Sequence, residues 1–263
     1  MITRYSVWIN NKGLQDIDES IYITDIREKE PKQQVQTAAR AWGDGLRLLR
    51  MKRESLSVVV RFAIREQNPA RRRDICARIR TWAQEGYLTT SDRPGQRLYV
   101  VCEKLPTVDS ALRWTREIEL TFTAYDMPYW ESTTPTKATV TANILTDAGR
   151  YDGYTSVRVA GDVKCPLDAV ITATGATDYL RLYTADDQFI ILQGLGMKQG
   201  DVLTISHDRR GILSMKLGNT SVMSKRTAKS YDDLMIPPNK TFALALRADC
   251  VCTATYTARG RSL

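Results

Sequence analysis

Residues 56–86 decide the fold of the first half of the chain, and they read LSVVVRFAIREQNPARRRDICARIRTWAQEG. From Leu56 to Ile64, apolar residues alternate with mostly polar ones, which is the pattern of a strand that buries one face. The segment from Ile118 to Ala124 shows the same alternation. We therefore predict two strands of one sheet that has a buried face.

A helix is predicted directly after the first of these strands. Asn68 is a suitable N-cap, and Pro69 suits the first helical position because the N–H that proline lacks has no partner there. Gly86 is expected to end the helix in a left-handed conformation. The apolar stripe that would pack on the sheet recurs at helical spacing, at Ile75, Ile79, Trp82 and Ala83.

Two hairpins are predicted around turn sequences. Leu88–Thr90 and Arg97–Cys102 flank the turn Asp92–Gly95. Val35–Met51 contains two further extended runs joined at Gly43–Gly45, where glycine permits the positive φ angles of a tight hairpin. Most side chains of this second hairpin are polar, so we expect it to project from the body and pair with another subunit. Its candidate interface residues are Trp42, Gly43, Asp44, Gly45, Arg47, Arg50, Lys52 and Arg53.

The length of 263 residues favours two domains over one, at roughly 150 residues per domain. Composition changes at the polar run Glu131–Thr136, which contains a proline. All five tryptophans precede this run, and every acidic residue after it is an aspartate. We predict an N-terminal domain of residues 1–131 and a C-terminal domain of residues 132–263.

The second domain is expected to be all-β, because it is rich in Thr, Val, Ala and Gly. Many short strands separated by turn residues favour a β-sandwich of jelly-roll type. The predicted strands lie near Val157–Val159, Ala169–Ala173, Tyr179–Tyr183, Gln188–Leu192, Val202–Ser206, Gly211–Lys216, Phe242–Arg247 and Val251–Thr257. The whole chain is thus predicted to be mainly β with one α-helix.

The net charge of +8 invites a nucleic-acid-binding interpretation, but the distribution of charge argues against it. Basic and acidic residues number 22 and 18 in residues 1–131, and 16 and 12 in residues 132–263. The densest basic cluster, Arg71–Arg73, is expected to lie on a solvated helix face. No stretch approaches the roughly 18 to 20 apolar residues of a membrane-spanning helix, and the first residues lack the apolar region of a secretory signal. We expect no membrane anchor.

Residues suited to catalysis or metal binding are few. His207 is the only histidine, so a zinc site with several histidines is excluded within one subunit. It lies in the turn-like run Ser206–Gly211, which we expect to be a solvated loop. Five cysteines without a C-x-x-C pair indicate reduced thiols, and Cys250 and Cys252 are expected to pack in a core.

Three further patterns bear on ligand chemistry. The run Gly194–Gly200 has neither the spacing of G-x-G-x-x-G nor a Walker lysine, so a turn between strands is predicted. The pairs Asp186/Asp187 and Asp232/Asp233 suit β-turns better than a glycosidase or calcium site. We predict no catalytic residue, cofactor or metal. Platforms for a sugar ring remain at Tyr151, Tyr154, Tyr179, Tyr183 and Tyr231.

Short motifs follow one another in a characteristic order along the chain. Those of the first half are Arg65–Asn68, Arg71–Arg73, Ile79–Trp82, Leu88–Leu98, Thr121–Ala124 and Pro128–Trp130. Those of the second half are Ile190–Leu195, Gly200–Ile205 and Tyr231–Pro238. Over nearly the whole chain, this order resembles the siphophage distal tail proteins, the Dit-like family of phage tail components.

The resemblance implies a structural phage tail-tip protein and no enzymatic activity. It implies a hexameric ring in the distal tail or baseplate hub, which joins the tail tube to the host-adsorption apparatus and leaves a channel for DNA in transit. Residues 1–131 would form a tail-tube-like β-sandwich, and residues 132–263 a galectin-like one. The implied partners are the other subunits of the homohexamer, the tail tube protein, the tape measure protein, the tail-associated hub protein and receptor-binding or baseplate proteins. The protein would assemble in the host cytoplasm and reside at the virion tail tip.

Two other functions stay open. Residues 132–263 lack the Trp and Glu of sugar-binding galectins, yet a carbohydrate-binding module that recognises the host cell wall is the alternative. A jelly-roll enzyme would need the aspartate pairs named above.

The basic residues of the projecting hairpin are expected to pair with carboxylates of a neighbouring subunit or of an adjoining tail protein instead of lining a DNA channel. They are Arg47, Arg50, Lys52 and Arg53. Each phosphate held by a Lys or Arg adds affinity, which would slow DNA in transit. The candidate acidic partners in the same domain are Asp16, Asp18, Glu19, Glu28 and Glu30.

Overall fold

The computed structural model describes residues 5–29, 31, 33–39, 46–105 and 117–263. Within these ranges the chain is mainly β with one α-helix, α1, which confirms the predicted fold class. The chain divides into two compact units, Met1–Trp130 and Glu131–Leu263. The elements of the first unit are β1 (Val7–Ile9), β2 (Lys12–Gly13), β3 (Ile21–Lys29), β4 (Gln33–Ala39), β5 (Leu46–Arg53), β6 (Leu56–Ile64), α1 (Pro69–Trp82), β7 (Gly86–Thr90), β8 (Gln96–Lys104) and β9 (Ile118–Ala124).

The first unit is built on an antiparallel sheet with the strand order β2-β1-β7-β8-β9-β6-β3. Strand β6 lies between β9 and β3, with Leu56 opposite Ala124 and Ile64 opposite Ile21. These four side chains are buried, because the alternation along each strand turns them to one face. The predicted hairpin of β7 and β8 is also present.

Helix α1 covers the buried face of this sheet. The Asn68 side chain accepts a hydrogen bond (2.9 Å) from the N–H two residues further on, so Asn68 is the predicted N-cap. Ile75 and Ile79 are buried in the same core as Phe122 of β9. Trp82 meets the Phe122 ring edge-on, with 6.1 Å between the ring centroids. The apolar stripe therefore packs as the sequence predicts.

The predicted end of the helix is wrong. The helix ends at Trp82, and the N–H of Ala83 donates to the carbonyl of Ile79 (2.7 Å). Gly86 instead begins β7, where a Cβ would come within 2.4 Å of the Asn10 side chain. The Asn10 Oδ1 accepts a hydrogen bond from the first N–H after Gly86 (3.0 Å). Close packing, and not helix termination, explains this glycine.

The expectation of a fully solvated basic cluster is also wrong at Arg72. Arg71 and Arg73 are exposed, but Arg72 is buried and its Nη2 donates to the carbonyl of Gln67 (3.2 Å). Arg72 precedes Ile75 by three residues, which places both side chains on the same helix face. The buried face of the helix thus begins one turn earlier than its apolar residues alone indicate.

The second unit is a sandwich of two antiparallel sheets, as predicted. One sheet has the order β11-β22-β14-β17-β18-β19, with β20 beside β14, and the other has the order β12-β13-β21-β15-β16. A core of buried side chains lies in this unit, including Ile171, Leu182, Leu246 and Tyr256. The strands are β10 (Trp130–Ser132), at the boundary between the units, β11 (Thr136–Ala142), β12 (Ile144–Leu145), β13 (Tyr151–Arg158), β14 (Cys165–Ala173), β15 (Thr177–Thr184), β16 (Phe189–Met197), β17 (Val202–His207), β18 (Leu213–Leu217), β19 (Thr220–Ser221), β20 (Met235–Ile236), β21 (Thr241–Ala248), β22 (Cys252–Ala258) and β23 (Arg261–Ser262).

The run Gly194–Gly200 is not the simple turn that the sequence predicts, because β16 continues through it to Met197. Gly194 and Gly196 have φ angles of +66° and +63°, and the pairing with β15 shifts register at this point. The extra residues form a bulge whose Gly196 N–H donates to Asp178 Oδ1 (2.8 Å). Glycines mark turns and bulges alike, so the sequence alone does not separate the two.

Candidate subunit interface

The hairpin of β4 and β5 forms a two-stranded sheet of its own. Among the strands of the described ranges, β4 and β5 pair only with each other, from Gln33 opposite Arg53 to Ala39 opposite Leu46. A bulge interrupts the pairing between Gln36 and Thr37. A two-stranded ribbon is marginally stable by itself in water, and both of its edges offer backbone groups to further strands. The predicted hairpin is present, and its edges are suited to recruit another chain.

The hairpin carries exposed apolar side chains that the sequence interpretation passed over. Leu48 and Leu49 are 58% and 59% exposed, and Val35 and Leu46 are exposed as well. Consecutive residues of a strand point to opposite faces, so leucines at 48 and 49 make both faces of the ribbon partly apolar. Grouped exposed apolar residues on a surface typically mark a contact with another protein.

The structure describes the predicted interface residues to different extents. Trp42, Gly43, Asp44 and Gly45, at the predicted turn, fall outside the described residues. For Arg47, Arg50 and Lys52 the structure describes the backbone, which belongs to β5, and not the side chains. The fourth basic residue, Arg53, is described in full and stands at the base of the hairpin.

Arg53 packs within its own chain. It is half-buried at the end of β5, and its guanidinium carbon lies 5.8 Å from the centre of the Tyr129 ring. Next to it, the Gln34 amide of β4 donates to Glu54 (2.8 Å). These contacts join the base of the hairpin to the first unit.

Two of the candidate acidic partners are already engaged. Asp18 accepts from Ser20 and forms ion pairs with Arg78 (3.0 Å) and Arg71 (3.7 Å). The Ser20 hydrogen bonds, together with these guanidinium groups, lower the pKa of Asp18 to about 2. Glu28 pairs with Arg93 (2.8 Å) and accepts from the Trp130 indole (3.0 Å).

The other three acidic candidates differ from these two. Asp16 accepts from the N–H of Gly13 (3.2 Å), Glu19 is exposed, and Glu30 lies outside the described residues. The supply of carboxylates for a neighbour's basic hairpin is therefore smaller than the sequence indicates.

His207 is the clearest correction in the second unit. It is the last residue of β17, and its side chain is 5% exposed, so it does not lie in a solvated loop. Its Nδ1 lies 2.8 Å from Asp168 of β14, and its Nε2 lies 2.9 Å from Asp233, in the segment before β20. Burial by itself would lower the pKa of His207, but the hydrogen bonds and charges of the two aspartates outweigh it and raise the pKa to about 9. Through its two ring nitrogens, His207 therefore connects β17 to β14 and to the segment before β20.

The aspartate pairs are used in local structure. Asp186 accepts from Thr184 Oγ1 (2.6 Å) and from the Gln188 amide (2.7 Å) in the turn between β15 and β16. Asp232 pairs with Arg226 (3.1 Å), and its neighbour Asp233 holds His207. The two pairs therefore act in turns and contacts within the sandwich.

The two nearby thiols pack as predicted. Cys252 is buried on β22 and Cys250 packs against the same core, with 3.6 Å between the sulfur atoms. Both are free, and burial raises the pKa of Cys252 to about 12.

In the part of the chain that the structure describes, no three His, Cys, Asp or Glu side chains are grouped to hold a metal. No helix within the described ranges has the length and apolar character needed to cross a membrane.

Four of the five predicted tyrosine platforms belong to strands of one sheet, and the fifth, Tyr231, contacts a ring of the same sheet. Tyr154 of β13 and Tyr183 of β15 meet edge-on, with 6.5 Å between ring centroids. Tyr179 lies beside the Arg150 guanidinium (3.6 Å to the ring centre), and Tyr231 meets Phe189 of β16. Tyr151 is half-buried and packs against the core.

Comparisons with protein-family models and with curated proteins find no match. Among solved structures, the chain is similar to the Dit protein of phage SPP1, described as a paradigm of the hub adsorption apparatus in phages that infect Gram-positive bacteria. The TM-score is 0.69 at 14% identity, over 98% of this chain and 99% of that chain. A chain of the phage P2 baseplate, in its activated conformation with Ca, is similar with a TM-score of 0.51 at 9% identity, over 99% of this chain and 98% of that chain. These comparisons confirm the predicted resemblance as a likeness of fold over both units.

Proposed function

We propose that the chain is a structural subunit of a phage tail tip, a distal tail protein of the baseplate hub. Six copies form a ring that joins the tail tube to the hub and host-adsorption apparatus and leaves a channel for DNA. The observation that carries this proposal is the likeness of fold over nearly the whole chain to a protein of a phage hub adsorption apparatus. The similar chain from a phage baseplate supports the same role.

Each domain has its own role in this proposal. Residues 1–131 form the ring, and residues 132–263 form an outward galectin-like domain. The hairpin of β4 and β5 is the contact between subunits in this proposal. Its support is the ribbon with unpaired edges and the exposed side chains of Leu48 and Leu49.

The channel wall is neutral or acidic in this proposal, so that DNA passes without being held. Arg47, Arg50 and Lys52 then pair with carboxylates of a neighbouring subunit or an adjoining tail protein. Each exposed pair contributes only about 0 to 1 kcal/mol, but repetition around a ring makes assembly weaken as ionic strength rises.

The remaining partners follow from the same role. They are the tail tube protein, the tape measure protein, the tail-associated hub protein and receptor-binding or baseplate proteins, with assembly in the host cytoplasm and residence at the virion tail tip. We infer a non-catalytic protein without a cofactor. His207 and Asp186, which suit catalysis by residue type, are engaged in contacts that bind strands and turns together.

The test is the native mass of the full chain, by light scattering or native mass spectrometry. We expect a particle of six times 29.8 kDa. The double variant Leu48→Ser/Leu49→Ser, or deletion of Ala41–Arg47, should give folded single subunits. Val170→Ser is the matched control, because Val170 is an exposed apolar residue on β14, and it should leave the ring intact.

Two results would overturn the proposal. A wild-type chain that stays a monomer at every concentration would contradict the ring. Hairpin variants that both form particles of the wild-type mass would contradict the hairpin as the contact.

A further inference from the structure

The outer face of the five-stranded sheet carries a layer of aromatic and charged side chains. Strand pairing brings them into two adjacent rows: Asp152, Arg247 and Arg181 in one, and Tyr154, Tyr183 and Phe189 in the other. We call these six residues the tyrosine–arginine face. The opposite face of the same strands supplies the core, with Leu180, Leu182 and Leu246 buried.

The rings of this face leave flat surfaces open to solvent. Tyr154 and Tyr183 are inclined at 89° to each other, and Tyr154 is 62% exposed. Phe189 and Tyr231 are inclined at 78°, and Tyr231 is exposed as well. Edge-on pairs present the flat side of one ring beside the edge of the next. The C–H groups of a sugar ring pack on such a flat apolar surface.

The two arginines of this face differ in how their charges are compensated. Arg247 donates Nε and Nη2 to the two oxygens of Asp152 (2.5 and 2.6 Å), and Asp152 also accepts from the Tyr154 hydroxyl (3.0 Å). Arg181 stands directly opposite Arg247 on the neighbouring strand. Like charges in that position destabilise a strand pair, so the second charge needs a partner of its own.

Arg181 has aromatic neighbours in place of a carboxylate. Its guanidinium carbon lies 4.9 Å from the ring centres of both Tyr183 and Phe189. Asp152, which Arg247 already holds, also feels the charge of Arg181, but no carboxylate of the described residues lies within ion-pair distance of Arg181. The two arginines thus share one carboxylate, and the buried Nε of Arg181 has no hydrogen-bond partner within the described residues. The rings hold the guanidinium in place, and its charge is left for a group from outside the chain.

We propose that the tyrosine–arginine face binds an anionic saccharide. The sugar ring packs on Tyr154, and the acidic group of the sugar, a carboxylate or a phosphate, binds Arg181. The inference concerns the second unit and does not depend on ring formation.

The distribution of charge favours a saccharide over a nucleic acid. Arg247 is neutralised by Asp152, and Arg150, at the margin of the face, pairs with Asp249 (3.2 Å). One uncompensated cation among aromatic rings matches one acidic group beside a sugar ring. A row of backbone phosphates would instead need a row of unpaired Lys or Arg.

The test measures retention of the full-length chain on polygalacturonate, which carries carboxylates, on phosphorylated dextran, which carries phosphates on sugar rings, and on neutral dextran. We expect retention on one or both of the acidic polymers and weaker retention on dextran. Arg181→Gln should weaken binding to the retained acidic polymer by about tenfold or more, and Arg181→Lys should restore part of it. Tyr154→Ala should weaken binding to polygalacturonate, whereas Tyr154→Phe should retain it because the ring remains.

Arg158→Gln is the matched control. Arg158 is an exposed arginine at the end of β13, on the same face of that strand as Tyr154 but four residues further on, and its replacement should leave binding unchanged. Equal losses in Arg158→Gln and Arg181→Gln would reduce the effect to general charge and overturn the proposal. So would retention on neither acidic polymer, or Arg181-dependent retention on oligo(dT) alone. Native mass, measured in parallel, keeps these results separate from the test of the ring.

Discussion

Raising the pH from 6.5 to 9 is expected to destabilise the second unit through one side chain, His207. In the folded chain its pKa is about 9, because Asp168 and Asp233 favour the imidazolium, whereas an unfolded histidine has a pKa of 6.5. A folded-state pKa above the unfolded one stabilises the fold fully below pH 6.5. That contribution is lost as the pH rises through the folded-state pKa.

The magnitude follows from the difference between the two pKa values. At about 1.4 kcal/mol per unit, the difference corresponds to about 3 kcal/mol of unfolding free energy. Burial of the thiols of Cys165 and Cys252 raises their pKa values to about 11 and about 12, from 9. Most of their loss of stabilisation therefore falls above pH 9, so the change between pH 6.5 and 9 reports mainly on His207.

The assay is urea unfolding of the full chain at several pH values across this window. All five tryptophans lie in the first 130 residues, so their fluorescence follows the first unit, and far-ultraviolet circular dichroism adds the second. His207→Gln should flatten the pH dependence of the second transition, while Thr204→Ala, on the same strand, should keep it. Because the chain has one histidine, its imidazole resonance also gives the pKa directly. A wild-type transition that does not weaken between pH 6.5 and 9, or an imidazole pKa near 6.5, would refute the reasoning.

Two further predictions concern local geometry. Asn68→Ala should cost about 1 kcal/mol in the tryptophan-detected transition, because it removes the N-cap of α1, and an unchanged midpoint would contradict the cap. Gly153→Ala should cost about 1 to 3 kcal/mol in the other transition, because a Cβ on β13 would lie 2.3 Å from the carbonyl oxygen of Thr141. Gly175→Ala is the control for this clash, because Gly175 also has no positive φ and a Cβ there would come no closer than 3.5 Å to Cys250.

The features that the sequence predicts correctly are local ones. The alternation in β6 and the Asn68–Pro69 start of α1 depend on residues within a few positions of each other. They can therefore be recognised from the sequence alone. His207 is different, because its partners lie 39 and 26 residues away. The polar run around it is typical of a turn, and only the pairing of β14 with β17 shows that it is buried. The prediction for Gly86 is wrong for the same reason, because its neighbour Asn10 is distant in sequence. Arg72 differs, because the carbonyl that it binds, that of Gln67, lies only five residues away.

The candidate sites also combine features set by residues near in sequence with features set by residues distant in sequence. The glycines at 43 and 45 mark the hairpin, but the partners of its strands depend on where the chain returns to the sheet. The tyrosine–arginine face assembles from four strands that are consecutive in space and not in sequence. The tyrosines named from the sequence include two of its six members, Tyr154 and Tyr183, whereas the opposition of Arg181 and Arg247 depends on strand register. Register is therefore the information that turns candidate residues into a candidate site.

The position of the hairpin in the topology explains why the proposed ring contact can be tested without unfolding the subunit. Strands β3 and β6 are antiparallel neighbours, with Lys29 at the end of one opposite Ser57 near the start of the other. A short turn would suffice between those ends, so β4 and β5 are an extension of a hairpin loop and supply no strand to the main sheet. Their exposed leucines lie outside the core that Phe62 and Phe122 help to form. Shortening the extension should therefore abolish the proposed contact between subunits, while the free energy of unfolding of the dissociated subunit stays within about 0.5 kcal/mol of the wild-type value.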